Sequence, residues 1–405
     1  MHRSYTQLAI ILAALAAIGP FSIDTYLPAF HAMEVDLGTT RYAVQQTLTL
    51  YMVMFAVMVL WHGALSDGFG RRRVLVVAMA MFTLASVLCT VAPSIEWMWV
   101  GRALQGMSAG AGMVIGRAIV RDVLDGPDAQ RLMSHVVMMF AVAPAVAPII
   151  GGWILLITDW RAIFAFLALY GLVMTVVCHR VLPETLPPDK RQPLHLGDLA
   201  RAYGQVLRKP AFLLLTGALA LNFNGFFIYV LSAPTFLVDH LGRSPQAFAW
   251  LFVPAMGGLL VGSWLSGRVA GRWSPRRSVA TGYAVMILAA LANVVVSTAM
   301  TPGLPQSVAP IALYTLGMSL TMPNLTLMAL DLFPLRRGLA SSCQSFMQMA
   351  VNALTAAVTA PLLWGSVQSL SLGMVIYLVL GAAAADFTAR FDRGEFPELV
   401  EEPGR

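Results

Sequence analysis

The sequence predicts an all-α membrane protein of about twelve transmembrane helices, and three observations predict it. Hydrophobic residues form 58% of the 405-residue chain and charged residues only 11%; a soluble domain carries roughly 25% charged residues, so lipid is this chain's natural solvent. The apolar residues gather into twelve runs of about the length that crosses hydrocarbon, roughly 20 residues. The basic residues collect at alternate joints between those runs, as the cost of translocating them demands.

The runs lie at about 7–29, 43–61, 74–92, 97–119, 133–157, 162–182, 211–235, 246–267, 278–300, 306–330, 339–363 and 370–389. The first follows Arg3 like a secretory signal, but it continues through Phe21 and Ile23 to Leu27 with no clean small-x-small cleavage site. It is read as an uncleaved first helix. Gly19-Pro20 is expected to break it, with Asp24 beyond the break toward the outer end. Short polar or Gly/Pro-bearing joints separate the other runs, except for one long joint, Pro183–Pro210, which carries Lys190, Arg191, Arg201, Arg208 and Lys209. That joint divides the chain into a six-helix bundle (1–182), a linker (183–210), a second six-helix bundle (211–390) and a tail (391–405).

Twenty-two of the 26 Lys and Arg residues fall on one side of this arrangement; Arg41, Arg102, Arg161 and Arg243 lie on or toward the other. Basic loops stay in the cytoplasm, so both termini are expected there, in a bacterial inner membrane. The pI near 9.5 is therefore a topology signal, and no nucleic-acid partner is implied. Cys89, Cys178 and Cys343 are scattered and offer neither a disulfide framework nor a metal spacing.

The halves echo each other. Gly63-Ala-Leu-Ser-Asp-Gly-Phe-Gly-Arg-Arg-Arg73 joins the second and third runs, and Gly267-Arg-Val-Ala-Gly-Arg-Trp-Ser-Pro-Arg-Arg277 joins the eighth and ninth. Gly63 aligns with Gly267, Phe69 with Trp273, and Arg72-Arg73 with Arg276-Arg277. A six-plus-six duplication explains this, and such repeats typify secondary transporters. In the first loop the glycines permit close helix approach and a tight reversal. Asp67 can pair with an arginine or a helix N-terminus, and Arg71 and Arg72 anchor at the basic face. A plain basic stop-transfer loop would explain the arginines but not Gly63, Asp67 and Gly70.

This loop resembles the loop signature of the major facilitator superfamily. Ser22-Ile-Asp-Thr-Tyr-Leu-Pro28, Arg102-Ala-Leu-Gln-Gly106 and Ala147-Pro-Ile-Ile-Gly-Gly152 resemble first-, fourth- and fifth-helix motifs of its twelve-helix drug:proton antiporters. With Arg121-Asp122 and Pro183-Glu-Thr-Leu-Pro-Pro188, the chain resembles the bicyclomycin-resistance (Bcr/CflA) branch, which includes amphenicol exporters. The strong matches lie in the N-terminal half. The resemblance implies the major facilitator fold, a proton-linked role for Arg102, and an antiporter motif in Pro144, Pro148, Gly151 and Gly152 that bends and seals the fifth helix. Ala143 and Ala147 replace two glycines of that motif. Ala16 stands where some multidrug relatives carry an acid, which argues against cationic drugs.

An acid inside a span costs roughly 3 kcal/mol or more and is a functional hypothesis by default. Asp24 is such an acid, a candidate proton carrier with Arg102 as its counter-charge; the plainer reading is the cap of a Pro-broken helix end. Arg102 has its own plainer readings, a guanidinium reaching outward or paired with Glu96. Gln105 offers a hydrogen bond and Gly106 close packing. Candidates for a substrate cavity are Tyr26, Gln45, Tyr51, Gln105, Asn222, Asn224, Tyr229, Asn324, Gln344 and Gln348, with helix–helix hydrogen bonding as the alternative use of these groups. His62, His135 and His179 read as membrane-edge residues, and Asp331 and Asp386 as solvated helix ends.

No phosphate loop, metal cluster or nucleophile constellation stands out, so an enzyme is not expected and no cofactor is implied. The expected function is proton-coupled antiport that exports small drugs of the bicyclomycin or chloramphenicol/florfenicol kind. Proton-coupled transport of a sugar or other small metabolite on the same fold is the alternative. The expected partners are the drug, protons and membrane lipid, with the chain a monomer.

Overall fold

The computed structural model describes residues 2–124, 126–191, 196–334 and 336–391, and among these it contains helices and no strand. Twelve long helices follow in order: α1 (His2–Asp24), α2 (Arg41–Phe69), α3 (Arg71–Thr90), α4 (Ile95–Val123), α5 (Gly126–Ile157), α6 (Arg161–Arg180), α7 (Pro210–Leu231), α8 (Ala249–Val269), α9 (Pro275–Ala299), α10 (Ala309–Asp331), α11 (Arg337–Leu354) and α12 (Val367–Phe391). Ten helical segments among the described residues are long and apolar enough to cross a membrane by themselves. α10 falls outside that set, with Ser319, Thr321 and Asn324 diluting its apolar residues.

Local chemistry sets the helix ends. The Thr40 side chain caps α2 by accepting from the Ala43 amide at 3.2 Å, and Ser274 caps α9 by accepting from the Arg277 amide at 3.2 Å. Pro210 and Pro275 open α7 and α9, where a missing N–H costs nothing. Gly70 joins α2 to α3 at φ 98°, a conformation that side-chain-bearing residues rarely adopt.

Three expectations are corrected. α1 runs straight through Gly19-Pro20 and breaks only after Asp24, continuing as a turn at Leu27–Ala29 and a short helix Phe30–Asp36. One proline removes one helical bond, and packing of α1 on α5 and α4 outweighs it here. The eleventh run is interrupted by wide turns at Thr355–Thr359 before Ala360–Leu363. The linker is not bare: it holds a twelve-residue amphipathic helix, Leu196–Leu207. Of the expected tail, residues 392–405 lie outside the described residues.

Packing repeats with the chain. α1 packs on α5, α2 on α4 and α3 on α6; equivalently α7 packs on α11, α8 on α10 and α9 on α12. Between the halves, α2 meets α11 and α5 meets α8, two contacts that a two-fold rotation exchanges. Val77, Leu84, Trp153, Leu169, Trp264 and Leu291 are exposed around the outside, as a surface solvated by lipid requires. The Arg-rich loops lie at one face, called the basic face below.

Candidate functional site

The polar centre of the first six helices forms near the opposite face, around Arg102. Its guanidinium is fully buried and lies between two tyrosine rings, 4.5 Å from the centroid of Tyr26 and 4.4 Å from that of Tyr51. Nη1 donates to Gln105 Oε1 at 2.6 Å, and Gln105 Nε2 donates to Ser86 Oγ at 2.7 Å. The Tyr26 hydroxyl shares a 2.8 Å hydrogen bond with Thr47 Oγ1. A flat, delocalised cation suits such a sandwich, and a compact ammonium does not.

Asp24 is the last residue of α1, 4% exposed, with Oδ1 accepting no hydrogen bond among the described residues. Arg102 is not its ion-pair partner. The expected pairing fails because the stacked rings and Gln105 hold the guanidinium, leaving its Nε and Nη2 without an acceptor. The two charges occupy neighbouring positions, since Tyr26 lies two residues after Asp24.

The break after Asp24 has a cause in α5. A Cβ on Gly151 would fall on the Thr25 backbone carbonyl, so α5 packs against the α1 break backbone to backbone. Gly152 meets the other half: its Cβ would lie 3.2 Å from Pro245 O, and its own carbonyl accepts from Gln246 Nε2 at 3.4 Å. Pro144 and Pro148 lie inside α5, so the Pro144 carbonyl lacks its helical donor. Gly106 likewise lets α4 touch the backbone of α2 at Tyr51.

At the basic face, Arg71 is the hub of the 63–73 loop. It is buried, bonds Asp67, donates from Nη1 to Ser66 Oγ at 2.7 Å and from Nε to Asp122 Oδ2 at 3.1 Å. Its backbone N–H donates to Glu184 Oε1 at 2.9 Å, and Arg72 donates to the His179 carbonyl. Gly70 fits under Glu184, whose Oε2 would be 2.5 Å from a Cβ there. Gly63 makes no such contact; a Cβ on it would meet only Val114, at 3.8 Å. The network thus joins α2, α3, the end of α4 and the 183–188 segment.

The substrate-cavity candidates separate. Tyr26, Tyr51 and Gln105 belong to the Arg102 cluster, and Gln45 is fully buried with neither amide atom partnered among the described residues. Asn222 donates to Tyr283 on α9 at 2.8 Å, and Tyr229 accepts from Asn293 on α9 at 2.7 Å, so both face an outer helix of their own half. Asn224 donates to Asn352 Oδ1 at 2.8 Å, as Gln348 does at 3.0 Å, tying α7 to α11. Gln344 donates to Thr326 at 3.2 Å and Asn324 to its own helix at Leu320 O. None of the ten is among the described residues that line the small cavity between α1, α4 and α5, whose walls include Leu12, Ala16, Gly112, Gly116, Arg117 and Met133.

Several polar contacts have no forerunner in the sequence reading. Arg41 bonds Asp239 and donates to Thr235 Oγ1 at 3.3 Å, joining the halves at the opposite face. At the basic face, Arg117 Nη1 donates to Ser341 Oγ at 3.3 Å, and Tyr203 of the linker helix donates to Leu60 O at 2.5 Å. Burial pushes the Tyr203 phenol up to about 12, so it keeps its proton and this bond at neutral pH. His62 is not at the membrane edge: it is 2% exposed against α4, near Gly110. The His135 side chain lies outside the described residues. Asp331 is exposed as expected, and pairs with Arg337 at 2.7 Å.

Residues 11–360 match the Major Facilitator Superfamily. The chain belongs to that superfamily. Its members are transporters rather than enzymes, and this facilitator is similar to several curated bacterial ones. It is 37% identical over 268 residues to an uncharacterized MFS-type transporter, YdgK, of Bacillus subtilis, covering 65% of this chain and 66% of that one. It is 26% identical to a bicyclomycin resistance protein homolog of Haemophilus influenzae, over 87% of this chain and 88% of the relative. It is 28% identical to multidrug resistance protein D of Escherichia coli, over 91% and 92%. Among solved structures, an inward-facing, occupied bacterial homolog of the human lysosomal transporter Spinster superposes with a TM-score of 0.71 at 17% identity, over 99% of each chain. That likeness carries the facilitator fold.

Proposed function

We propose that this facilitator is a proton-coupled antiporter that exports small drugs of the bicyclomycin or chloramphenicol/florfenicol kind across the bacterial inner membrane by alternating access. The observation that carries the reading is the carboxylate of Asp24, buried at the break of α1 with Oδ1 unpartnered among the described residues, one residue before the Thr25 carbonyl on which Gly151 of the antiporter motif seats. A charge in that position is costly, so a cycle that protonates and deprotonates it couples proton movement to the packing of α1 on α5. The relatives named for bicyclomycin and multidrug resistance support an outward direction and small drugs as the cargo.

Alternating access needs contacts between the halves at each face that break in turn. Arg41 with Asp239 is the contact assigned to the opposite face, and Arg117 with Ser341 is the one at the basic face, where Tyr203 also ties the linker helix to Leu60 of α2. With the basic face and both termini in the cytoplasm, one proton moving inward yields about 2.3 kcal/mol per 100 mV, roughly a fifty-fold drug gradient. The transporter works as a monomer in lipid.

The test is the direction of transport. In inverted membrane vesicles energised to be acidic inside, labelled chloramphenicol is expected to accumulate and to leave when the pH gradient is collapsed. Accumulation in right-side-out vesicles instead would replace export by proton-coupled uptake, the reading in which a sugar or another metabolite is the cargo.

A further inference from the structure

The joint between α8 and α9 is basic and has no acid of its own. Arg268, Arg272, Arg276 and Arg277 are exposed on it, and the stretch 267–277 contains no Asp or Glu. Arg268 lies over the Trp264 ring and Arg277 over that of Trp273, each 4.7 Å from the centroid. A guanidinium stacked in this way keeps its N–H groups in its own plane, open to an acid. Among the described residues, Arg41, Arg71, Arg161, Arg201 and Arg337 pair with acids, and none of these four does.

The repeat shows what fills the equivalent place in the first half. There Arg71 pairs with Asp67 of its own loop, and its backbone N–H donates to Glu184. In the second loop Gly271 stands at the position of Asp67. Glu184 lies four residues past Arg180, the end of α6. Four residues past Phe391, the end of α12, is Glu395. It belongs to an acidic sequence, residues 392–402, in which Asp392, Glu395, Glu398, Glu401 and Glu402 stand against one cation, Arg393.

The helices bring the two charges to one place. α9 and α12 pack antiparallel: Tyr283 donates to Gly381 O at 3.0 Å, and Ser297 and Ser371 share a 2.9 Å hydrogen bond. Tyr283 lies eight residues after Pro275, and Gly381 ten before Phe391, about 12 and 15 Å along the helices. The acidic sequence therefore starts within about one turn of the level of Arg276 and Arg277. Its eleven residues can extend to roughly 35 Å, enough to cover the joint.

We propose that residues 392–402 dock on the α8–α9 joint, where their carboxylates supply the arginines with the acids that Asp67 and Glu184 supply in the first half. Docking is independent of the export reading and is measured without transport.

The experiment is a spin-label distance measurement on the full chain in phosphatidylcholine nanodiscs, with nitroxides at Ala270→Cys and Leu399→Cys. Cys89, Cys178 and Cys343 are buried, so the two introduced thiols take the label. A short, narrow distance distribution is expected at 0.1 M salt. At 1 M the screening length falls from about 10 to 3 Å, and the short-distance fraction should drop about threefold or more. Arg272→Glu with Arg276→Glu should replace the short distance by a broad, long one. Adding Glu395→Arg and Glu398→Arg to that variant should restore it, which a misfolded protein would not do. Broad distances at both salt concentrations, or a short distance that survives the arginine reversals, overturns the proposal. If the short distance disappears when phosphatidylglycerol is included in the nanodisc, the arginines belong to the anionic membrane surface and the proposal falls.

Discussion

The two halves share one backbone plan and handle polarity in opposite ways. In the first six helices the polar centre is ionic: Asp24 and Arg102 are buried, and among the described residues neither has a carboxylate–guanidinium partner. In the last six it is neutral, an amide–phenol lattice of Asn222 with Tyr283, Asn293 with Tyr229 and Asn224 with Asn352. The paired loops differ in the same sense. Arg71 engages Asp67, Asp122 and Glu184, whereas in 267–277 Arg277 lies over the Trp273 ring and Gly267 has nothing within 4 Å of a built Cβ. Neutral hydrogen bonds hold a bundle together without regard to pH; buried ionisable groups make its energy depend on protons. On the proposed antiport reading, coupling belongs to the first half and support to the second.

The largest expected effect breaks the ionic half. Arg102→Ala removes the cation between Tyr26 and Tyr51 and orphans Gln105 Oε1. Loss of a charged hydrogen bond costs roughly 1.5–3 kcal/mol and loss of the desolvated cation–π contacts about 2 more, so transport at matched membrane abundance should fall by about a hundredfold or more. Arg102→Lys should also lose most activity, because an ammonium neither stacks between two rings nor forks. Activity in the lysine variant equal to the parent would reduce Arg102 to a simple charge anchor.

Next come the loops, compared directly. Gly70→Ala forces a left-handed backbone and pushes Glu184 off Arg71; about 1–3 kcal/mol of strain predicts roughly a tenfold or greater loss of transport. Asp67→Asn should slow cycling, with drug binding retained. Gly271→Ala, at φ 74° with open space around it, carries strain alone and should leave transport within about threefold. Equal losses at 70 and 271 would mean that the Arg71 network contributes nothing.

The smallest effect is expected in the neutral lattice. Tyr229→Phe removes one hydrogen bond to Asn293, worth about 1 kcal/mol, and should lower thermal stability slightly while leaving the pH profile of transport unchanged. A shifted pH profile would place a coupling function in the second half.

Much of this was legible beforehand, and the exceptions share a cause. Span number, the basic loops and the six-plus-six repeat follow from hydropathy and charge, which act within one segment at a time. The seat of Gly151 on Thr25, the rings around Arg102 and the Arg41–Asp239 bridge depend on which distant segments meet, and one sequence does not carry that. The helix break is a case in point. Gly19-Pro20 is the stronger local breaker, yet α1 yields after Asp24, where α5 abuts the Thr25 carbonyl. His62 failed as an edge residue for the same reason: proximity to the end of a run says nothing of the neighbour that covers it.

The central claim is that Asp24 carries the proton, and one measurement addresses it most directly. Asp24→Asn keeps size and hydrogen-bonding capacity but fixes the site in a neutral state. In proteoliposomes with an imposed pH gradient and a pH-sensitive dye, the parent protein should exchange chloramphenicol for protons. Asp24→Asn should still bind the drug and equilibrate it downhill, with no drug-dependent proton flux. Asp24→Glu should retain partial coupling with a displaced pH optimum. Drug-dependent proton flux in Asp24→Asn equal to the parent's would contradict the account and return Asp24 to the role of a helix-end cap.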